Sequence, residues 1–265
     1  MPNVENLQGA EGMTTYEKLA IMLSAVAILI PIIQWIWKKW IVRGGIKFYP
    51  AGQSTLFFNQ SGSYMRINGV IESERKPASI RKVSIVIRRQ KDNKTLNLSW
   101  SQLISPVNQS IVGNYLQTSE AAHPFRVDAD SIMCVFAEYT DPFDSFLKTF
   151  RSRTANLFAN AANQPIFNSN YDDALIAFTN EKDYSAAKDL MKNEFYWEVG
   201  RYDLDVVVEY NNKKKAFPFE FTVTEQSYSD LLHNIDESLV SVLKNQYQVR
   251  LDFHSAFVEL TERKA

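Results

Sequence analysis

The stretch YDLDVVVEYNNKKKAFPFEFTV, from Tyr202 to Val223, contains the clearest pattern in the chain for predicting its fold. Up to Tyr210, apolar side chains alternate with mostly acidic ones, and after Asn211 to Lys215 a second alternation places three phenylalanines and a valine on one face. A period of two is typical of a strand with one buried and one solvated face, so the stretch predicts an antiparallel hairpin. Pro218 has no backbone N–H to donate, which favours a position at the sheet edge for the second strand.

Other parts of the chain also predict strands. Residues 63–71 alternate in the same way, and residues 83–100 alternate on both sides of a polar turn at 91–94, which indicates a second hairpin. Residues 132–137 are apolar on both faces, as expected of a central strand, and Cys134 within them is expected to be buried rather than a reactive thiol. Several short strands without strand–helix–strand alternation predict a β-rich α+β protein, built on an antiparallel β-sandwich of immunoglobulin-like architecture.

Helical periodicity lies between the strands and after the final hairpin. Asp141 followed by Pro142 predicts the start of a helix, and further helices are predicted at 171–178, 184–193 and 227–243. The predicted organisation is a short extracytoplasmic N-terminus at 1–18, a transmembrane helix at 19–40, the first part of the β-sandwich at 46–140, a helical insertion at 141–198, the final hairpin at 199–226, and a C-terminal amphipathic helix and tail at 227–265.

The segment LAIMLSAVAILIPIIQWIW, from Leu19 to Trp37, is 19 residues long and contains no charge. At about 1.5 Å per residue, a helix of this length reaches roughly 28 Å, close to the thickness of the bilayer hydrocarbon. No basic stretch precedes it and no small-residue cleavage site follows it, so a retained anchor is favoured over a signal peptide. Basic residues follow the segment, which predicts an external N-terminus and a cytoplasmic body. The expected anchors at the cytoplasmic interface are Trp35, Trp37, Lys38, Lys39 and Trp40.

Charge is distributed unevenly along the chain. Residues 38–94 hold 13 basic and 3 acidic residues, whereas residues 95–265 hold 15 basic and 24 acidic residues. Two interpretations remain open: an ordinary solvated strand face, or a basic face opposite the anionic inner leaflet, where each nearby cation contributes about 1 kcal/mol. The candidate lipid-facing patch comprises Arg81, Lys82, Arg88, Arg89, Lys91 and Lys94.

The sequence contains none of the common catalytic or cofactor motifs, such as a Gly-rich phosphate loop, a nucleophile elbow, H-E-x-x-H or paired cysteines. The histidines fall in different predicted elements: His123, His233 and His254. Turn and helix-cap chemistry accounts for the acidic pairs Asp128 with Asp130, Asp141 with Asp144, and Asp172 with Asp173. No catalytic, cofactor-binding or metal-binding residue is therefore predicted, and no cofactor.

The predicted function is that of a single-pass membrane protein displaying a cytoplasmic binding or scaffold module without enzymatic activity. Its expected partners are the membrane, with anionic inner-leaflet lipid as a candidate ligand, and a protein bound through the helical insertion or the C-terminal helix. Nucleic acid is not expected, because no aromatic residues interleave with the basic cluster. One alternative is a ligand-sensing effector that oligomerises through its transmembrane helix to form a pore. A second is a carboxylate-dependent hydrolase, which requires a pocket with two convergent carboxylates of raised pKa.

Overall fold

The computed structural model describes residues 14–37, 44–111, 114–163 and 170–263. The chain divides into two compact units, residues 1–44 and residues 45–265. In the first unit, helix α1 (Thr15–Ile36) begins with a capping box, in which the side chains of Thr14 and Glu17 each accept the other residue's backbone N–H. The helix is long and apolar enough to cross a membrane, and none of its described side chains is buried.

The second unit is a mixed domain of α-helices and an antiparallel β-sheet. Twelve strands are found among the described residues, and they all belong to one sheet. They are β1 (Gly45–Pro50), β2 (Ser54–Asn59), β3 (Gly62–Glu74), β4 (Ala78–Arg89), β5 (Thr95–Ile111), β6 (Asn114–Ala121), β7 (Phe125–Val127), β8 (Ser131–Thr140), β9 (Gly200–Tyr210), β10 (Lys213–Val223), β11 (Ala256–Val258) and β12 (Thr261–Glu262).

The helices described in this unit are α2 (Ser145–Asn163), α3 (Tyr171–Thr179), α4 (Lys182–Glu194) and α5 (Glu225–Gln246). The last three confirm the helices predicted near these positions. Helix α2 begins later than predicted, because the carboxylate of Asp141 accepts the N–H groups of Phe143 and Ser145 and forms a turn before the helix. Asp141 therefore caps the turn that leads into α2 rather than standing directly before its first residue.

The sheet has the strand order β11-β2-β3-β8-β5-β4-β9-β10-β12, with β1 beside β3, β6 beside β5 and β7 beside β4. Along one edge, strand β3 pairs first with β2 and then with β1. Strand β4 likewise pairs along one edge first with β7 and then with β5. The result is one strongly curled sheet, a half-barrel. The immunoglobulin-like sandwich is not confirmed, since the described strands form one sheet. Periodicity indicates which face of a strand is buried, but it does not indicate which strands pair with each other.

The hairpin predicted at the end of the sheet is confirmed. Strands β9 and β10 pair along their whole length, and the inward side chains of β9 from Tyr202 to Tyr210 are all buried. Strand β10 is almost at the edge, since its outer partner β12 pairs only with Phe219 and Glu220. Helix α5 closes this core with Leu231, Ile235 and Leu239, which are fully buried against the rest of the unit.

The prediction of a buried Cys134 is wrong, because the side chain is exposed. Strand β8 pairs with β5 only from Ala137 to Thr140, and further along its length β5 pairs with β6 instead. The first part of β8 therefore has β3 beside it but no β5, and Ile132 in this part is 69% exposed. An apolar run predicted a central strand, and the sheet leaves half of that strand uncovered.

Candidate functional site

The six residues of the predicted lipid-facing patch do not share one surface. Arg81 and Lys82 lie near the start of β4, whereas Arg88 and Arg89 end it and Lys91 and Lys94 lie in the following turn. A strand rises about 3.3 Å per residue, so Lys82 and Arg89 are separated by roughly 23 Å. The structure therefore divides the predicted patch between the two ends of the strand.

Arg89 is buried, with only 4% of its surface exposed. Its guanidinium donates two hydrogen bonds to Asp92, of 2.9 and 2.5 Å, and one of 3.0 Å to the carbonyl of Tyr196. It also forms an ion pair with Glu198, with 2.6 Å between Nη1 and Oε1. These contacts tie the turn after β4 to the segment before β9, and they are incompatible with a lipid-facing role for Arg89.

The exposed cations of β4 have acidic neighbours. Strand β9 lies beside β4 in a register that places Lys82 opposite Glu209 and Arg88 opposite Asp203. Both acidic residues belong to the part of the sequence with a negative net charge. The charge separation along the chain is thus not preserved across this face, because the sheet pairs a basic strand with an acidic one.

A different group of cations gathers at the end of the sheet where the chain enters the domain. Strand β1 begins at Gly45, which pairs with Glu74 at the end of β3. The Lys215 ammonium, at the start of β10, donates to the carbonyl of Ile46 at 2.7 Å. The Asn211 side chain joins the turn between β9 and β10 to the turn between β3 and β4, by donating to the carbonyl of Pro77 at 3.0 Å. Three distant parts of the chain therefore meet beside the first residue of the domain.

We call this surface the basic end, defined by residues 45–47, 72–82, 126–130 and 209–215. It holds nine basic and five acidic residues, so its net charge is +4. Ion pairs occupy some of the cations: Lys47 with Glu74, Arg126 with Asp128, and Lys214 with Glu209. Exposed cations that form no ion pair within 4.0 Å among the described residues are Arg75, Arg81, Lys82 and Lys213.

The basic end contains two residues of the predicted patch, Arg81 and Lys82, together with cations that the sequence did not single out. The predicted hairpin turn includes the run from Lys213 to Lys215, and three consecutive lysines are a signal that could have identified this surface. The predicted membrane-interface residues Trp35 and Trp37 lie at the C-terminal end of α1 and are exposed. Lys38, Lys39 and Trp40 lie outside the described residues.

A groove of about 380 Å³ bears on the hydrolase alternative, because Asp141 and Glu194 both line it. Partial burial raises the pKa of Glu194, and the Asp141 carboxylate nearby adds to this effect. The pKa of Asp141 is lowered, because the backbone N–H groups of Phe143 and Ser145 outweigh the effect of its own desolvation. Both oxygens of Asp141 accept backbone N–H groups of the turn before α2, so Asp141 is not free to act with Glu194 as the second carboxylate that this alternative requires.

His233 and His254 belong to different elements, as the sequence predicts, but the fold brings them together. His233 and His254 lie beside Asp252, and one ligand atom from each of the three residues lies within 4.8 Å of the others. Imidazole nitrogens and a carboxylate oxygen are ligands for transition metals. No local sequence pattern indicates this cluster, because its members lie on a helix and on a separate irregular segment.

No protein-family model and no curated protein matches the chain. The sporulation control protein Spo0M of Bacillus subtilis is similar in structure with a TM-score of 0.27 and 8% identity, over 74% of this chain and 55% of that chain. A family 123 glycoside hydrolase from Clostridium perfringens has a TM-score of 0.28 and 9% identity, over 67% of this chain and 26% of that chain. The chain thus spans about half the length of the first protein and a quarter of the second. Similarity at this level supports no conclusion about function.

Proposed function

We propose that the protein is a single-pass membrane protein with an external N-terminus, whose cytoplasmic domain at residues 45–265 acts as a non-enzymatic binding module. Helix α1 has the length and composition of a membrane span. The cations Lys38, Lys39, Arg43 and Lys47 follow it in the sequence, and such residues favour the cytoplasmic side. In this proposal, the first ligand of the module is the anionic inner leaflet.

The observation that supports this proposal is the position of the basic end. Gly45, the first residue of the domain after the span, lies among the basic turns rather than at the end where β4 leads into the Arg89 network. A net charge of +4 at this end favours contact with anionic lipid, whose attraction is about 1 kcal/mol for each nearby Lys or Arg. A neutral bilayer would neither attract nor repel the cations of the basic end, so it should not bind this surface.

The experiment uses the fragment 45–265, whose buried core residues all lie between Ile46 and Leu260. Its binding to vesicles that contain phosphatidylserine is compared with binding to neutral phosphatidylcholine vesicles by co-sedimentation. We expect binding to the anionic vesicles only, and we expect it to fade with added salt, since the screening length falls to about 3 Å at 1 M. Replacing Arg81, Lys82 and Lys213 by Glu should remove about 3 kcal/mol of attraction, roughly a hundredfold in affinity.

The matched control reverses the same number of charges at the other end of the strand, by replacing Arg88, Lys91 and Lys94 with Glu. Both triple variants have the same net charge, so only the position of the cations differs. The control should retain most of the binding, and circular dichroism should show that both variants are folded. Equal loss in the two variants would mean that binding follows net charge alone, and the proposed orientation would then be abandoned.

A further inference from the structure

Helix α5 and the segment just before β11 bring two imidazoles and a carboxylate together. The Oδ2 atom of Asp252 lies 3.5 Å from Nε2 of His254 and 4.0 Å from Nε2 of His233. The two imidazole rings lie with their centroids 4.7 Å apart. Three potential ligand atoms from three side chains therefore surround one point at the protein surface.

The spacing of these atoms is close to that of ligands around a tetrahedral ion. With zinc–nitrogen and zinc–oxygen bonds of about 2.0–2.2 Å, neighbouring ligand atoms are separated by roughly 3.4 Å. Asp252 and His254 already lie close to this separation, and His233, whose Nε2 is 4.0 Å from the Asp252 carboxylate, needs to move closer to complete the site. All three side chains are partly or fully exposed to solvent, so an ion can reach them and can keep a water molecule as a further ligand.

The second nitrogen of His254 has a carboxylate of its own. Its Nδ1 faces Oδ1 of Asp230 at 3.7 Å, whereas its Nε2 faces Asp252. Asp230 is itself held by the Gln226 side chain, which donates a hydrogen bond of 2.7 Å to the same oxygen. A carboxylate behind a histidine is the common arrangement at metal sites, where it orients the ring and favours the tautomer with a free Nε2.

Buried polar side chains of α5 fix the backbone of the ligand segment. The Asn234 side chain, 1% exposed, accepts the N–H of His254 at 2.8 Å and donates to its carbonyl at 2.7 Å. The carboxylate of Glu237, also buried, accepts the N–H of Asp252 at 2.7 Å and pairs with Lys244. Both ligand residues of the segment are thus positioned by side chains that are themselves immobilised by burial.

We propose that His233, Asp252 and His254 bind a divalent transition metal ion of the zinc type, with Asp230 as the positioning carboxylate. Two imidazoles favour such an ion over calcium or magnesium, which prefer sites made of oxygen atoms. Three protein ligands with an accessible further position resemble zinc sites that bind water or an external ligand more than closed structural sites. The ion would link α5 to the segment that leads into β11, and so to the edge of the sheet at β2.

The test is zinc titration of the full chain in detergent micelles by isothermal titration calorimetry, after removal of metal with a chelator. We expect one ion per chain with a dissociation constant in the micromolar range or tighter. Cobalt(II), used as a second probe, should give the visible absorption bands of a four-coordinate cobalt ion bound by nitrogen and oxygen ligands. His233→Ala and His254→Ala should each weaken zinc binding by at least a hundredfold, and Asp230→Asn should weaken it by about tenfold.

His123→Ala serves as the matched control, because this exposed histidine lies outside the cluster beside Glu120. It should leave zinc binding unchanged, and circular dichroism should show that every variant keeps its secondary structure. No binding below millimolar zinc would overturn the proposal. Full binding by the His233→Ala/His254→Ala double variant would also overturn it, because the ion would then be held by other residues.

Discussion

Replacement of Arg89 by methionine should destabilise the domain, although Arg89 belongs to a run of cations that looks exposed in the sequence. Methionine retains an unbranched apolar chain but has no group that can donate a hydrogen bond. The change removes the 3.0 Å bond to the carbonyl of Tyr196 and the paired bonds to Asp92. The turn after β4 and the segment before β9 then lose the group that joins them.

The magnitude follows from the burial of each partner. Tyr196 is buried, and a buried acceptor that loses its donor costs about 1–3 kcal/mol. The guanidinium also lies 5.6 Å from the centre of the Tyr196 ring, and loss of this contact adds about 0.5–1 kcal/mol. The side chains of Asp92 and Glu198 are 43% and 38% exposed, so water replaces the guanidinium there at little cost. We expect the free energy of unfolding to fall by about 1.5–4 kcal/mol.

The assay is urea unfolding of the 45–265 fragment, followed by tryptophan fluorescence, with thermal unfolding as a second measurement. For a domain of this size, each kcal/mol lowers the melting temperature by roughly 2–4 °C. Arg88→Met is the control, because the neighbouring side chain is exposed and its loss should cost less than about 0.5 kcal/mol. If the two variants unfold at the same urea concentration, Arg89 is not a structural clamp and the reasoning is refuted.

Two further changes test other parts of the domain. A methyl group at Gly69 would clash with Cζ of Phe48, whose ring packs 6.0 Å from that of Phe219, so Gly69→Ala should cost about 1–3 kcal/mol. Combining it with Phe48→Leu in a double-mutant cycle should recover part of this loss in urea unfolding, and strict additivity would contradict the predicted clash. The Arg89 guanidinium holds the pKa of Asp92 well below its usual range, so this partly exposed ion pair adds a small stabilisation above about pH 4, which is lost as pH falls through the folded-state pKa. Acid unfolding curves should therefore be steeper below pH 4 for wild type than for Arg89→Met, and parallel curves would contradict the assignment.

Features that depend only on neighbouring residues could be predicted from the amino-acid sequence. Alternation with a period of two located the hairpins, because successive side chains of a strand point to opposite faces wherever the strand lies. Helical spacing located α3, α4 and α5, and a continuous apolar run indicated a helix that can span a membrane. Each of these predictions requires only the local geometry of the backbone.

Contacts between residues that are distant in the sequence depend on the tertiary fold. Arg88 and Arg89 are adjacent in the sequence, but the alternation of β4 exposes one and buries the other beneath the segment before β9. Strand pairing places Lys215 beside Ile46, and the fold of the C-terminal segment places His254 beside His233. Partners and register depend on contacts between distant parts of the chain, and a single periodic pattern is compatible with many pairings. The candidate surface and the candidate metal cluster both arise from such pairings, which is why local patterns could not predict them.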